Sequence, residues 1–495
     1  MAELNLTSAT FDTLIVGAKI YDGTGGHPFV ADVAIVAERI VAIGDLSALA
    51  TAQFSRTVVE AHGLCLAPGF IDVHTHDDLE VFRAPDMAAK ITQGVTTVIA
   101  GNCGISAAPA TLSGEAPDPM NLLGADTEFQ FSSVAGYRAR FERAPANVNV
   151  ALLVGHTTLR NNHMADLSLP ATAAQIAAMQ TQLADALRDG AIGLSTGLAY
   201  GNANAAPTSE VSALCEVVKQ YDGIYTTHLR TEFDGVLEAM DEAFSLASQH
   251  QLPLVISHLK CAGKQNWGRA PELLAALSAY GQHHQCSCDA YPYAASSSTL
   301  DLKQVTDDFT IFITWSQPYP DMAGMTLKEI AAVWQTSLLD AATRLQPAGA
   351  VYHGLHEQDV QTILGFEKTM IGSDGLPCDP HPHPRLWGSF PRVLGRYSRE
   401  LGLLSLPQAI HKMTGLSARN FALKGRGEVR TGNYADLVLF DDKTINDSAD
   451  FVNSSLPAKG IHQVWVNGVM TFTQQQVLCA RAGQFLAATG ATKHD

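Results

Sequence analysis

The sequence predicts a parallel (β/α)8 barrel, the TIM-barrel arrangement, carrying a small β-sandwich built from both chain ends. Three observations predict it. Eight runs of apolar and β-branched residues recur along the middle of the chain: Phe70 to His76, Val95 to Cys103, Val148 to Gly155, Ala191 to Ser195, Ile224 to His228, Leu254 to His258, Cys286 to Tyr291 and Met370 to Asp374. Amphipathic helical stretches separate several of them, and alternating strand and helix is the pattern of a parallel barrel. Short β-rich runs without helical period occupy both termini, and termini commonly lie close enough to pair.

Taken in order, residues 8–67 hold Leu14-Ile-Val-Gly, Val33-Ala-Ile-Val and Ile40-Val-Ala-Ile, broken by glycines, as expected of a small antiparallel sheet or sandwich. Residues 68–414 are read as the barrel. Within it, Ala173 to Arg188 repeats Ile176, Met179, Leu183 and Leu187 at helical spacing, and Gly190 supplies the stop. A doubly wound open sheet is the competing arrangement, but no Gly-x-Gly-x-x-Gly opens a helix after the first strand. Residues 292–349 form a long connection between the seventh and eighth strands, with Ala294-Ala-Ser-Ser-Ser-Thr and Trp315-Ser-Gln-Pro-Tyr-Pro as irregular parts, and are assigned as a lid. Residues 415–480 return the second half of the sandwich through Ala435-Asp-Leu-Val-Leu-Phe440 and Val464-Trp-Val-Asn-Gly468.

With 46% hydrophobic and 16% charged residues and no apolar run long enough to span a bilayer, the 495-residue chain reads as a soluble protein with room for a catalytic cavity. A net charge of -17 argues against a nucleic-acid partner and leaves a small molecule. The N-terminal residues lack a signal-peptide pattern, so a cytoplasmic location is expected. Eight cysteines without regular spacing suit reduced thiols or metal ligands, and Cys286-Ser-Cys288 reads as buried strand.

The chemistry gathers at the strand ends. His74 and His76, one residue apart on an extended segment, point the same way and can reach one ion. The second strand ends in Gly101-Asn-Cys103-Gly, the fifth in Thr227-His228-Leu-Arg, the sixth in Ser257-His258-Leu-Lys260, and the eighth in Gly372-Ser-Asp374-Gly. In a parallel barrel these ends converge on the catalytic mouth. A lone strand-end His or buried Cys is ordinarily structural. Four imidazoles, a thiolate and a carboxylate together suit Zn2+.

These segments, with His383-Pro-Arg-Leu-Trp-Gly388, resemble the N-acyl-D-amino-acid deacylases of the amidohydrolase superfamily over nearly the whole chain. The resemblance implies a tight Zn2+ site on Cys103, His228 and His258, with His74 and His76 completing a weaker second site. It also implies Asp374 as catalytic acid and base, and Arg385, helped by Tyr291 and Ser297, as the grip on the substrate α-carboxylate. A planar guanidinium matches a carboxylate bidentately, which supports Arg385 independently; a loop salt bridge is the plain alternative. The implied reaction is hydrolysis of a linear N-acyl-D-amino acid. In relatives with acidic substrates, Lys260 and a basic lid residue would receive the distal carboxylate. The lid here reads Ser298-Thr-Leu-Asp-Leu-Lys-Gln-Val-Thr, without arginine and with Asp301 near Lys303. Apolar or broad side chains are therefore expected, with N-acyl-D-glutamate the specific competitor. Cyclic-amide opening and amino-sugar deacetylation fit less well, since a neutral ring needs no carboxylate clamp. A non-enzymatic scaffold is disfavoured because every ligand type is present. His353, His356, His381 and His383 are additional polar candidates near the mouth; without a strand-end position, most of them read as surface residues.

Overall fold

The computed structural model describes residues 10–112, 114–473 and 476–488. Its centre is one eight-stranded, all-parallel sheet. We label these strands β1 (Phe70–Asp72), β2 (Val95–Ala100), β3 (Asn149–Gly155), β4 (Gly193–Gly197), β5 (Ile224–His228), β6 (Leu254–Ile256), β7 (Cys286–Ala290) and β8 (Thr369–Ile371). The barrel closes between β8 and the segment after β1. There Thr75 and Gly375 form a parallel bridge, and the Asp374 amide donates to the His74 carbonyl at 2.7 Å.

Alternation along the strands separates two apolar cores. Ile71, Ile99, Leu153, Val255 and Met370 turn inward and share a cluster with Phe421 and Leu423 from the chain beyond the barrel. Phe70, Val98, Leu152, Leu254 and Ile371 turn outward against the helices. The helix Ala173–Arg188 is one of these, and its capping box joins Thr172 to Gln175. Met179, Leu183 and Leu187 are buried as the period requires, and Ile176 packs at the edge.

The chain ends meet in a single nine-stranded sheet. Cys65–Pro68 bridges its halves, pairing with Phe11–Ile20 on one side and Leu437–Phe440 on the other. Ile15, Val33, Ile40, Leu66, Leu437, Leu439 and Trp465 pack into its own core. The sheet is mixed, not antiparallel throughout, because Phe11–Ile20 runs parallel to both Ser55–Glu60 and Cys65–Pro68.

The lid is more ordered than its composition suggested. Ser296–Thr299, Ile311–Ser316 and Ala348–Tyr352 form a three-stranded sheet, so both segments read as irregular contribute strand. Helices Leu327–Trp334 and Leu338–Leu345 cover it. Leu300, Ile313, Ile330, Ala341, Leu345 and Ala350 give it a separate hydrophobic core. Among the described residues no helix is long and apolar enough to cross a membrane.

A buried ionic cluster ties the helix His156–His163, which leaves β3, to the helix Thr208–Gln220 after β4. Arg160 Nη1 lies 2.5 Å and His156 Nε2 2.9 Å from Glu210 Oε1, with all three side chains fully buried. Burial opposes ionisation of Glu210, yet His156 and Arg160 outweigh it and bring its pKa from 4.5 down to about 2. A carboxylate depressed in this way stabilises the fold above the unfolded value and ceases to do so as pH falls through the folded one. Glu210 should therefore contribute on the order of 3 kcal/mol at neutral pH, fading from about pH 4.5 to about 2. Urea midpoints of the native protein and of Glu210→Gln should differ most at pH 7 and converge only as pH falls to about 2. A gap that stays constant with pH would remove this linkage.

Candidate active site

The regular strands stop short of the chemistry. β1 ends at Asp72, β2 at Ala100, β6 at Ile256 and β8 at Ile371, so His74, His76, Cys103, His258 and Asp374 all sit just beyond strands rather than on them. Local backbone turns, not strand alternation, aim them into the mouth. Cys103, His258 and Asp374 have φ of 54°, 36° and 49°, a region that costs an L residue energy and gathers at functional sites. The turn around Cys103 needs its glycine: Gly101 has φ +80°, and a Cβ there would stand 2.1 Å from the Leu153 carbonyl oxygen. Buried Asp78 pins the same turn by accepting from the Gly101 and Ala107 amides.

The side chains converge tightly. Cys103 Sγ is 3.2 Å from His74 Nε2 and 3.3 Å from His258 Nε2. Asp374 Oδ1 lies 3.2 Å from His76 Nε2 and 3.5 Å from His74 Nε2. One ligand atom from each of His74, Cys103, His258 and Asp374 falls within 4.8 Å of the others; a second such group joins His228, Glu232 and His258. The His228 and His258 rings meet edge to face at 4.4 Å. The expected ligands are thus all present at the mouth, but His74 stands as near Cys103 as His258 does.

Charge is balanced within the cluster. Burial raises the cost of ionising Cys103, and the neighbouring His74, His258 and His228 imidazoles more than offset it, holding the thiol well below its ordinary range. Asp374 behaves likewise: burial opposes its charge, while Arg385, His74 and His76 keep it ionised. The His228 and His76 Nδ1 atoms are buried without a hydrogen-bond partner. A thiolate, several imidazoles and a carboxylate, with ring nitrogens left over, form a donor set that fits zinc.

Beside this cluster, Arg385 is fully buried with its guanidinium carbon 4.6 Å above the Tyr291 ring. Its Nη2 donates to the Ser297 carbonyl at 2.9 Å, and its Nη1 stands 2.9 Å from Asp374 Oδ2 without the alignment of a hydrogen bond. Arg385 Nε and Nη1, Tyr291 Oη and Ser297 Oγ are all buried and make no hydrogen bond. A cavity of about 730 Å³ opens beside Tyr291 and Ser297, floored by these two with His228, His258 and Asp374 and walled by Lys260, Tyr200 and the lid.

Sequence reasoning missed three residues here. Glu232 accepts from Lys260 Nζ at 2.5 Å and lies 3.0 Å from His258 Nδ1, so Lys260 is engaged in an ion pair instead of standing free for a substrate. Asp289 reaches His74 Nδ1 at 3.3 Å and accepts from the His258 amide at 3.0 Å, orienting two imidazoles. Its signal was available, because alternation along β7 places it on the face of Tyr291. His383, one of the four polar candidates of which most are expected at the surface, is 3% exposed and contacts the Arg385 amide, because the loop after β8 folds inward beneath the lid. His353 is half-buried, while His356 and His381 are exposed as expected.

The sequence profile described as "Amidohydrolase family" matches residues 57–472. The chain belongs to that family. Two amidohydrolase relatives from Alcaligenes xylosoxydans xylosoxydans resemble it along almost their full length. It is 45% identical to a D-aminoacylase, over 98% of this chain and 99% of the relative. It is 44% identical to an N-acyl-D-glutamate deacylase, over 94% of each. Among solved structures, the N-acyl-D-glutamate deacylase of Bordetella bronchiseptica, complexed with zinc and a phosphonate mimic of the tetrahedral intermediate, superposes with a TM-score of 0.92 at 42% identity. That likeness covers 97% of this chain and all of the other.

Proposed function

We propose that this amidohydrolase cleaves the amide bond of N-acyl-D-amino acids, releasing a carboxylate and a free D-amino acid. One observation carries the reading: Arg385 Nε, Tyr291 Oη and Ser297 Oγ are buried donors without hydrogen-bond partners, and Arg385 Nη1 meets the Asp374 carboxylate without a hydrogen bond, at the edge of a Cys/His/Asp cluster. Unmatched buried donors are costly, and an α-carboxylate would satisfy them. The D configuration and the acylated amine come from the likeness to the D-aminoacylase and the N-acyl-D-glutamate deacylases.

Cys103, His228 and His258 would hold zinc, with His74 and His76 as a weaker second site, and the bound metal would supply an electrophile for the acyl carbonyl and an acidified water. Asp374, kept ionised by its neighbours, takes the proton from the attacking water and passes it to the leaving amine. Arg385, Tyr291 and Ser297 hold the α-carboxylate, which fixes the scissile bond relative to Asp374.

The cavity wall supports apolar or broad side chains. Its cations are largely neutralised: Lys260 pairs with Glu232, and Arg230 grips Glu242 through two contacts of 2.8 Å. Asp118 and Asp301 add negative charge. A distal carboxylate would be buried there against acids rather than received by bases. Lys303, on the same wall, is the observation favouring N-acyl-D-glutamate. With zinc-loaded enzyme, kcat/KM on N-acetyl-D-leucine, N-acetyl-D-methionine or N-acetyl-D-tryptophan should exceed that on N-acetyl-D-glutamate by about tenfold or more. Preference for the glutamate derivative would reverse the assignment, and equal rates on L-enantiomers would overturn the D-selectivity. We also place the enzyme in the cytoplasm, a reading supported by eight unpaired cysteines, six of them buried.

A further inference from the structure

His383 sits where three parts of the molecule meet, and its two ring nitrogens are both engaged. Nδ1 accepts from the Arg385 amide at 2.9 Å, so it carries no proton; Nε2 lies 3.1 Å from the Ala295 carbonyl and therefore donates. The imidazole is thus neutral and held in one tautomer. Burial also disfavours its cationic form, as do the Arg385 charge and His353.

Each contact leads to the carboxylate grip. Arg385 opens the helix Arg385–Arg392, so the amide that His383 fixes belongs to the residue whose guanidinium lies against Tyr291, Ser297 and Asp374, all three of which line the cavity. Ala295 lies two residues before Ser297, whose own carbonyl accepts from Arg385 Nη2 at 2.9 Å. The lid segment therefore holds Arg385 twice, directly through Ser297 and indirectly through His383. The ring is wedged from the other sides by Tyr293 at 5.1 Å and by Phe451, from the C-terminal part of the chain, at 4.9 Å.

We propose that His383 is a positioning residue that locks the lid onto Arg385 and so sets enzyme selectivity for substrates bearing a free α-carboxylate. His383 touches no reacting atom. It acts by fixing the height of the guanidinium fork against Tyr291 and Ser297, where Nε makes no hydrogen bond and Nη1 is ion-paired with Asp374 Oδ2 at 2.9 Å. The inference rests on the assignment of Arg385 as the carboxylate clamp.

The test compares His383→Phe, which keeps a planar ring and loses both hydrogen bonds, with His383→Gln, which can still accept and donate. Both are assayed as zinc-loaded full-length enzymes on N-acetyl-D-leucine and on its carboxamide, N-acetyl-D-leucinamide. His383→Phe should raise KM for the acid at least tenfold while changing kcat less than threefold, and should leave kcat/KM for the carboxamide within about twofold. His383→Gln should recover part of the lost KM. In an Arg385→Met background, His383→Phe should add nothing, because the two residues act as one unit. Equal losses on acid and carboxamide, a loss confined to kcat, or additivity with Arg385→Met would overturn the proposal. Should the carboxamide turn over too slowly, competitive inhibition by D-leucine against D-leucinamide reads the same selectivity. If Arg385→Met itself leaves KM for the acid unchanged, the clamp assignment fails; if it raises KM while His383→Phe does not, only the role of His383 fails.

Discussion

Asp374→Asn is expected to lower kcat by roughly a hundred- to ten-thousand-fold while zinc content stays at the native level, the range lost when a positioned general acid–base is removed. The substitution preserves shape and volume and removes the ability to accept a proton. The carboxylate stands 3.2 Å from His76 Nε2 and 2.9 Å from Arg385 Nη1, so its charge is built into the site and is not an incidental surface feature. An amide in its place would also turn a donor toward one of those groups, so the KM for substrate should rise by a smaller factor. Pre-steady-state turnover on N-acetyl-D-leucine alongside zinc analysis would measure both effects. Near-normal turnover with metal bound would exclude Asp374 as the proton carrier.

Cys103→Ala carries the second large effect. The thiol is 1% exposed, wedged between His74 and His258, and held well below its usual pKa because the surrounding imidazoles outweigh burial. Removing the softest and most charged donor should weaken zinc binding by more than a hundred-fold, given that residues merely contacting metal ligands cost about ten- to a hundred-fold. Activity should fall with the zinc content, and His74→Ala or His76→Ala should retain the main ion while losing rate. Zinc titration of the three variants decides the ranking. Undiminished zinc in Cys103→Ala would remove the tight site as assigned, and an empty His76→Ala would invert the order of the two sites.

The barrel was legible because its strands are continuous apolar runs, a pattern that parallel strands buried on both faces require. The mixed pairing of the terminal sheet was not, since strand direction depends on how Cys65–Pro68 crosses between the halves. The lid was under-read for a different reason. Its edge strand Ser296–Thr299 consists of serine and threonine, whose strand form here is fixed by backbone pairing with Ala348–Tyr352. At the site, His74, Cys103, His258 and Asp374 were visible because a strand end is a position that sequence can mark. Glu232 and His383 were not, because their importance lies in whom they touch: Glu232 four residues beyond the end of β5, His383 in a loop that folds back after β8. Asp289 falls between these cases: alternation could have exposed it, had the interior face of β7 been read residue by residue.

The seam of the barrel also has a kinetic meaning. The Asp374 amide is bonded to the His74 carbonyl where the first and last strands join, so the site straddles the contact of greatest sequence separation in the barrel. Such contacts pay the largest loop-closure entropy and form late. Catalytic competence should therefore be the final property this chain acquires as it folds.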